Sequence, residues 1–225
     1  MARNCARRLQ QQRVAAVPKP FPKLRMKLWL LAPVKPFAES KSRLANALAP
    51  AARAALSQEL LARLLTCARE AGVLAGVAVV SRDPLALAQA QAVGFASVPE
   101  NGQDLNLALT QASQYAVLHG ADAVLVLPAD LPFVSAEDIR QLYTLGQAQP
   151  GVVLTSSPDG GTNALLLRPP GLMPFAFGVN SFAQHCALAQ KAGATIQVFE
   201  SSTLAFDVDR PEDLASLQRL LSTGV

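Results

Sequence analysis

Short apolar runs alternate along most of the chain with longer stretches of helical periodicity. The short runs are rich in valine, leucine and alanine, as expected of buried strands. In the longer stretches apolar residues recur three and four positions apart, and most of these stretches end at a glycine, which is typical of helices. The predicted strands are residues 27–32, 77–81, 95–98, 123–127, 152–155, 164–167, 195–199 and 204–208. The predicted helices are residues 50–72, 83–94, 104–120, 135–146, 181–193 and 211–221.

The alternation of strands and helices determines the expected fold class. Strands separated by helices predict βαβ units and a mostly parallel sheet that is covered on both faces. No internal repeat or linker divides residues 26–225, so we expect a single doubly wound α/β domain with a mixed, mostly parallel sheet. In such folds ligands bind beyond the carboxyl ends of the strands, where the strand order reverses. Those ends are therefore the predicted location of the functional site.

Composition narrows the class of protein. With 225 residues, 51% of them hydrophobic, the chain is long enough for one large core. No apolar run approaches the roughly 18 residues of a membrane span, so no membrane association is predicted. Cys5, Cys67 and Cys186 lie far apart and only His119 and His185 accompany them, which excludes the spacings of zinc and iron–sulfur sites. We expect a protein of the reducing cytoplasm.

Positive charge is concentrated at the amino terminus. Residues 1–25 contain seven basic residues and no acidic one, whereas the rest of the chain has 13 basic and 16 acidic residues. This segment lacks the apolar core of a signal peptide. A disordered arm, a nucleic-acid or membrane contact and an upstream start codon each account for it. We expect a dispensable disordered arm and no nucleic-acid partner, because only Phe21 interleaves its cations.

The first predicted strand leads into a cationic loop, "LAPVKPFAESKSRL" at residues 31–44. Lys35, Lys41 and Arg43 place three positive charges within nine residues. Such a loop can neutralise a polyphosphate, and a solvated loop is the alternative interpretation. Neither GxGxxG nor GxxxxGK[ST] occurs in the chain, so hydride transfer and P-loop chemistry lose support.

Three aspartates occupy two of the predicted strand ends. Asp130 ends the apolar run in "AVLVLPADLP", between two prolines. Asp207 and Asp209 alternate with a valine in "LAFDVDRPEDL", so on an extended segment both carboxylates point to one face. Carboxylate oxygens are suited to holding Mg²⁺ against phosphate, and the three residues predict a metal-binding cluster. The alternatives are a turn residue at Asp130 and a helix start at Asp209.

Three further loops carry residues that can contact a ligand. Two glycines precede Thr162 in "SPDGGTN", a motif that also fits a hairpin turn. The stretch from Gly178 to Ser181 opens a predicted helix, whose amide groups can bind an anion, although Ser181 also fits a plain helix cap. Gly102 and Asn106 in "PENGQDLN" can hold a base or ribose, or form a turn and a cap.

Five segments occur together in a characteristic order: "PVKPFAESKSRLA", "LPADLP", "GGTNALLLRP", "FGVNSFAQH" and "FDVDRPEDL". The set resembles the guanylyltransferases of coenzyme F-420 (deazaflavin) biosynthesis, and the resemblance covers residues 26–225. It implies a nucleotidyltransferase fold of the glycosyltransferase-A-like type. It also implies an enzyme that joins GMP from GTP to 2-phospho-L-lactate, phosphoenolpyruvate or 3-phospho-D-glycerate and releases pyrophosphate, with two Mg²⁺ ions as cofactor.

The same resemblance implies roles for individual residues. They fall into metal ligands, contacts to GTP, contacts to the phospho-acid, and a catalytic subset. The implied metal ligands are Asp130, Asp207 and Asp209; the nucleotide contacts are Lys35, Lys41, Arg43, Gly102 and Asn106; the acid contacts are Thr162, Gly178 and Ser181; and the catalytic residues are Asp130, Asp207 and Lys41.

Two other functions are alternatives at this stage. A molybdopterin or sugar nucleotidyltransferase would share the fold, but molybdopterin guanylyltransferases usually begin with a glycine-rich "LAGG" where this chain has "LAPVKP". A nucleic-acid-binding protein would use the basic residues 1–25, yet that function gives no reason for carboxylates at two strand ends. The identity of the acid and the oligomeric state, a homodimer included, are left open.

Overall fold

The computed structural model describes residues 25–222, so the predicted arm lies outside the described residues except for Arg25. The described chain contains one seven-stranded sheet and six α-helices. The strands are β1 (Leu28–Val34), β2 (Gly76–Ser81), β3 (Ala96–Pro99), β4 (Ala123–Val126), β5 (Gly151–Ser156), β6 (Thr162–Arg168) and β7 (Ile196–Val198). The helices are α1 (Pro50–Ala71), α2 (Pro84–Ala92), α3 (Leu105–Leu118), α4 (Ala136–Ala148), α5 (Ser181–Lys191) and α6 (Pro211–Ser222).

The sheet has the strand order β3-β2-β1-β4-β6-β5-β7. Strand β1 pairs in parallel with β2 and with β4, and β2 pairs in parallel with β3. Strand β6 is antiparallel to both β4 and β5, and β7 is parallel to β5. The predicted mixed, mostly parallel α/β sheet is therefore confirmed. The chain leaves β1 toward β2 and later returns to the other side of β1 as β4, so the strand order reverses between β1 and β4.

The core lies in two layers, one on each face of the sheet. Along β1, Leu28 and Leu30 pack with helices α1 and α4, whereas Trp29 and Leu31 pack on the opposite face with α3. Successive side chains of a strand point to opposite faces, so a strand covered on both sides must be apolar throughout. This explains the continuous apolar run that opens the fold. No helix in the described part of the chain has both the length and the apolar character needed to cross a membrane.

The eighth predicted strand, residues 204–208, does not form, and that prediction is wrong. The backbone groups of this segment are bound by other partners. Asn163 Nδ2 donates to the Leu204 carbonyl at 2.8 Å, and Val208 N–H donates to the Asp130 carbonyl at 3.2 Å. Because these groups are already satisfied by a side chain and a loop, the segment has no ladder to join. The alternation of apolar residues reflects burial of Leu204 and Val208, not strand pairing.

Candidate active site

The loops after β1 and β4 and the segment before α6 border one pocket of about 620 Å³. This volume lies within the range of small-molecule sites. The pocket lies where the strand order reverses, at the carboxyl ends of β1 and β4, as the fold class predicts. Six of the eleven predicted site residues line it: Lys35, Lys41, Arg43, Asp130, Asp207 and Asp209.

Lys41 is held against the end of β4. Its ammonium Nζ lies 3.1 Å from Asp130 Oδ2, and only 7% of its side chain is exposed. The backbone at Lys41 is left-handed, with φ of 54°, a conformation that is uncommon for residues other than glycine. Such conformations persist where the surroundings hold them, and they are concentrated at functional sites. The loop therefore presents this cation to the pocket in a defined position.

Arg43 and Asp209 form a second ion pair beside the first. The guanidinium donates to Asp209 Oδ2, and 64% of the Arg43 side chain is exposed. An exposed pair of this kind contributes little to stability, so a phosphate group can replace the carboxylate at small cost. The predicted helix-start role of Asp209 is not seen, because Asp213 accepts the backbone N–H groups of Asp209 and Arg210 instead.

Asp207 lies among other carboxylates. Burial, followed by the charges of Asp130 and Asp159, raises the pKa of Asp207 to about 6, while its own backbone N–H and the Asn163 side chain oppose the rise. A carboxyl group that is half-buried beside like charges is destabilised in its ionised form. Carboxyl groups with pKa values perturbed in this way are concentrated at functional sites. A bound cation would relieve the repulsion between these carboxylates.

The acidic residues fit Mg²⁺ in chemistry but do not form a ready-made cage. Among residues 25–222, no group of three His, Cys, Asp or Glu side chains is arranged to hold a metal ion. Asp130 and Asp209 are paired instead with Lys41 and Arg43. The donor set is nevertheless entirely carboxylate oxygen, the ligand type that Mg²⁺ takes.

The predicted acid contacts Thr162 and Ser181 are not among the residues that line the pocket. Thr162 and Ser181 are buried, with 5% and 2% of each residue exposed. The Ser181 hydroxyl donates to Thr162 Oγ1 at 3.1 Å. Ser181 is the first residue of α5, and the capping position belongs to Asn180, so the plain serine cap is wrong. The neighbouring Asn163 lines the pocket.

Asn106 is occupied by the backbone ahead of Gly178. Its side chain accepts from Phe177 N–H at 2.7 Å and donates to the Phe177 carbonyl at 3.1 Å. This double contact ties the start of α3 to the loop before α5. Gly178 itself is exposed, and its φ of 144° favours glycine. Gly102 is exposed in the loop after β3 and does not line the pocket, although Gln103 does.

Sequence reasoning missed three residues that belong to this region. Glu100 follows β3 directly and lines the pocket, so the expectation that ligands bind beyond the carboxyl ends of strands could have found it. Arg82, which also lines the pocket, follows β2 in the same way. His185 lies four residues after Ser181, which places both on one face of α5. That spacing was the available signal, but it does not distinguish a site residue from core packing.

His185 is fully buried and makes two hydrogen bonds. Its Nδ1 lies 3.0 Å from Thr162 Oγ1, and its Nε2 accepts from Ala176 N–H at 3.0 Å. Burial lowers the pKa of His185 to about 4. The ring is therefore neutral near pH 7 and is part of the framework behind the pocket.

The fold is shared with solved structures of nucleotidyltransferases. The chain is similar in structure to a protein described as a nucleotide-diphospho-sugar transferase from Desulfovibrio desulfuricans G20, with a TM-score of 0.71, 18% identity, and coverage of 88% and 89% of the two chains. It is also similar to a nucleotidyl transferase from Methanothermobacter, with a TM-score of 0.61, 13% identity, and coverage of 88% and 99%. These likenesses establish the fold.

The particular family follows from the sequence. The chain belongs to the family described as guanylyl transferase CofC like, whose sequence model matches residues 28–220. A phosphoenolpyruvate guanylyltransferase from Rubrobacter xylanophilus is 43% identical over 86% of this chain and 94% of its own length. A second from Chloroflexus aggregans is 40% identical, over 81% and 92%. A 2-phospho-L-lactate guanylyltransferase from Methanothermobacter thermautotrophicus is 33% identical, over 85% and 84%. The resemblance found in the sequence is confirmed, and the protein is a nucleotidyltransferase enzyme.

The buried His185 makes folding stability depend on pH in a defined direction. Its folded-state pKa lies below that of an unfolded histidine, so the unfolded chain binds more protons and stability falls as the pH drops from about 6.5 toward 4. We expect this residue to contribute a loss of about 2 to 3 kcal/mol between pH 7 and pH 4.5. Urea unfolding at both pH values should show a smaller loss in His185→Asn than in the wild type.

The matched control is His119→Asn, the same change at the exposed histidine, which keeps the contribution of His185. An equal acid-induced loss of stability in His185→Asn and the wild type would contradict the assignment of this effect to His185.

Proposed function

We propose that this guanylyltransferase joins GMP from GTP to phosphoenolpyruvate in coenzyme F-420 biosynthesis, with Mg²⁺ held by Asp130, Asp207 and Asp209. The observation that carries the proposal is the convergence of these aspartates and the cations of the first loop in one pocket. Phosphoenolpyruvate is favoured because relatives named for it reach 43% and 40% identity, against 33% for the relative named for 2-phospho-L-lactate. The other candidate acids are 2-phospho-L-lactate and 3-phospho-D-glycerate.

The proposed reaction is a displacement at phosphorus. An oxygen of the acid's phosphate attacks the α-phosphorus of GTP and forms a new P–O bond. The bond from the α-phosphorus to the oxygen that bridges to the β-phosphorus breaks, and pyrophosphate leaves with that electron pair. The product carries the acid and guanosine on the two ends of a diphosphate.

The first loop would stabilise the charge that accumulates on the leaving group. Lys35, Lys41 and Arg43 lie along one side of the pocket, where they can contact the β- and γ-phosphates. Mg²⁺ bound by the aspartates would supply further charge neutralisation of the phosphate oxygens. For that role Asp130 and Asp209 must exchange Lys41 and Arg43 for the ion, which leaves both cations to the triphosphate.

No general base is required by this reaction. A phosphate monoester has a second pKa of about 6, so the attacking group is already an anion near neutral pH. The residues that line the pocket within the described chain include no histidine. Catalysis then rests on positioning and electrostatic stabilisation, as in other phosphoryl transfers.

The end of the pocket near β3 suits a guanine base, and we assign Glu100 to its recognition. The Glu100 side chain is 11% exposed, and its Oε2 lies 3.7 Å from Arg82 Nε; Arg82 Nη2 lies 3.0 Å from Glu39 Oε2. Guanine presents two adjacent donors, N1–H and the 2-amino group, and a carboxylate can accept both. Arg82 lies beside that carboxylate and can donate to the O6 acceptor. Adenine presents an acceptor at N1 and would be rejected.

The two alternatives are less well supported. Molybdopterin and sugar nucleotidyltransferases share this fold, but likenesses of 18% and 13% identity concern the fold alone. The family match and the relatives at 33% to 43% identity favour the guanylyltransferase. A nucleic-acid-binding role for residues 1–25 leaves the acidic pocket without a purpose.

The substrate proposal can be tested by pyrophosphate release with Mg²⁺, each of GTP, ATP, CTP and UTP, and each of the three acids. We expect release with GTP only, fastest with phosphoenolpyruvate, and dependent on the acid. An enzyme that consumes the product should be present, so that accumulation or breakdown of the product does not limit the signal. Fastest release with another acid would refute the substrate choice, and acid-independent release would refute the reaction.

The metal-site proposal predicts that Asp130→Asn and Asp207→Asn each lower kcat/KM by a factor of about 100 or more, because each removes a charge from the reacting centre. Asparagine has nearly the same size as aspartate, so both variants should remain folded, which circular dichroism can verify. Glu59→Gln, at an exposed position of α1, is the matched control and should keep full activity. Near-normal activity in both aspartate variants would exclude these carboxylates from catalysis.

The guanine proposal predicts that Glu100→Gln lowers kcat/KM for GTP about tenfold or more and narrows the preference for GTP over ITP. ITP lacks the 2-amino group, so the wild type should discriminate against it whereas the variant should do so less. Glu39→Gln removes the other carboxylate partner of Arg82 and is the control. If both variants keep the wild-type GTP-to-ITP ratio, Glu100 does not read the base.

A further inference from the structure

A buried polar network connects the residues predicted to contact the acid. Thr162 Oγ1 receives a hydrogen bond from the Ser181 hydroxyl at 3.1 Å and lies 3.0 Å from His185 Nδ1. His185 Nε2 accepts from Ala176 N–H at 3.0 Å. His185 is fully buried, and the Phe177 ring packs edge-on against it at 4.8 Å between centroids. The network links β6, α5 and the loop that leads to Gly178.

The contacts of His185 determine which ring nitrogen carries the proton. A backbone N–H can only donate, so Nε2 must accept from Ala176 and cannot carry hydrogen. A neutral imidazole has one N–H, and it therefore lies on Nδ1. His185 consequently donates to Thr162 Oγ1, and the threonine oxygen is the acceptor of that bond.

This tautomer fixes the hydrogen-bonding capacity that remains to Thr162. A hydroxyl group accepts at two lone pairs and donates one proton. Both lone pairs of Thr162 Oγ1 are used, one by Ser181 and one by His185. Within the described residues no acceptor takes the hydroxyl proton of Thr162. What remains is therefore a donor, which suits an anionic oxygen of a carboxylate or phosphate.

The loop before α5 is braced by the same elements. His185 holds Ala176, and Asn106 holds both backbone groups of Phe177, so two consecutive residues are fixed from two helices. Gly178 follows directly. His185 and Asn106, neither of which lines the pocket, thus help to set the position of that glycine relative to Thr162.

We propose that His185 is a positioning residue of the acid-binding site: as the Nδ1–H tautomer it orients the Thr162 hydroxyl so that its proton is directed to the anionic acid. This inference rests on the proposed function, because it takes the acid to bind at Thr162. His185 does not contact the substrate. It acts through Thr162, and through Ala176 it fixes the loop that ends at Gly178.

Two substitutions separate the two hydrogen bonds of His185. His185→Asn places an amide N–H where Nδ1 was and so keeps the donor to Thr162, while it loses the acceptor for Ala176. His185→Gln places an amide oxygen near the Nε2 position and keeps the acceptor, while it loses the donor to Thr162. We expect His185→Gln to raise KM for the acid about tenfold or more with KM for GTP unchanged, and His185→Asn to keep KM for the acid within about threefold.

The two variants lose one hydrogen bond each, so a merely structural role would affect them alike. Equal increases in KM for the acid, or equal increases for acid and GTP, would overturn the inference. The protonated ring nitrogen can also be read directly in the wild type from the ¹⁵N chemical shifts of His185, which requires no variant to fold. Hydrogen on Nδ1 is expected, and hydrogen on Nε2 would overturn the inference.

Thr162→Val distinguishes failure of this inference from failure of the proposed site. It removes the hydroxyl and keeps the shape, and it should raise KM for the acid as much as His185→Gln does. An unchanged KM for the acid in Thr162→Val would show that the acid binds elsewhere, which overturns the proposed site and this inference together. A raised KM in Thr162→Val with normal values in both His185 variants would overturn the inference alone.

Discussion

The hydrogen bond from Val208 N–H to the Asp130 carbonyl is the constraint on which the pocket depends. It fastens the segment before α6 to the end of β4, two parts of the chain that are remote in sequence. This hydrogen bond also brings the half-buried Asp207 carboxylate close to that of Asp130, and the repulsion between the two charges is unfavourable. The loop after β1 compensates by placing Lys41 and Arg43 against Asp130 and Asp209. The acidic and basic sides of the pocket therefore require one another.

Most of the architecture could be predicted because its causes are local. Strand β1 is apolar throughout because it is covered on both faces. Helix α4 begins at a capping box formed by Ser135 and Asp138, which is a local sequence pattern. Because ligands of this fold class bind beyond the carboxyl ends of the strands, Asp130 and the cationic loop after β1 could be predicted as site residues. Residues 204–208 show where this reasoning fails. The alternation of apolar and polar residues in this segment correctly predicts which side chains are buried. Burial does not determine whether the backbone groups bond to a strand, a loop or a side chain.

The interior of the site was harder to predict than its rim. The Asn106 side chain has the donor and the acceptor that a ligand contact requires, but both are bonded to the backbone of Phe177. Thr162 and Ser181 are buried and are hydrogen-bonded to one another. The importance of His185 arises only from contacts between β6, α5 and the loop at residue 176, which no spacing in the sequence reports. Side-chain contacts to distant backbone are set by tertiary packing, so they become visible only in the folded chain.

The exposed pairing of Arg43 with Asp209 has a consequence for the order in which ligands are taken up. In the unliganded protein each side of the pocket serves as the counterion of the other. A triphosphate that withdraws the arginine strips Asp209 of its neutralising partner, and a cation that occupies the aspartate releases the arginine. By thermodynamic linkage each ligand then increases the affinity for the other by the same factor. Nucleotide and divalent ion would then bind cooperatively, each more tightly in the presence of the other.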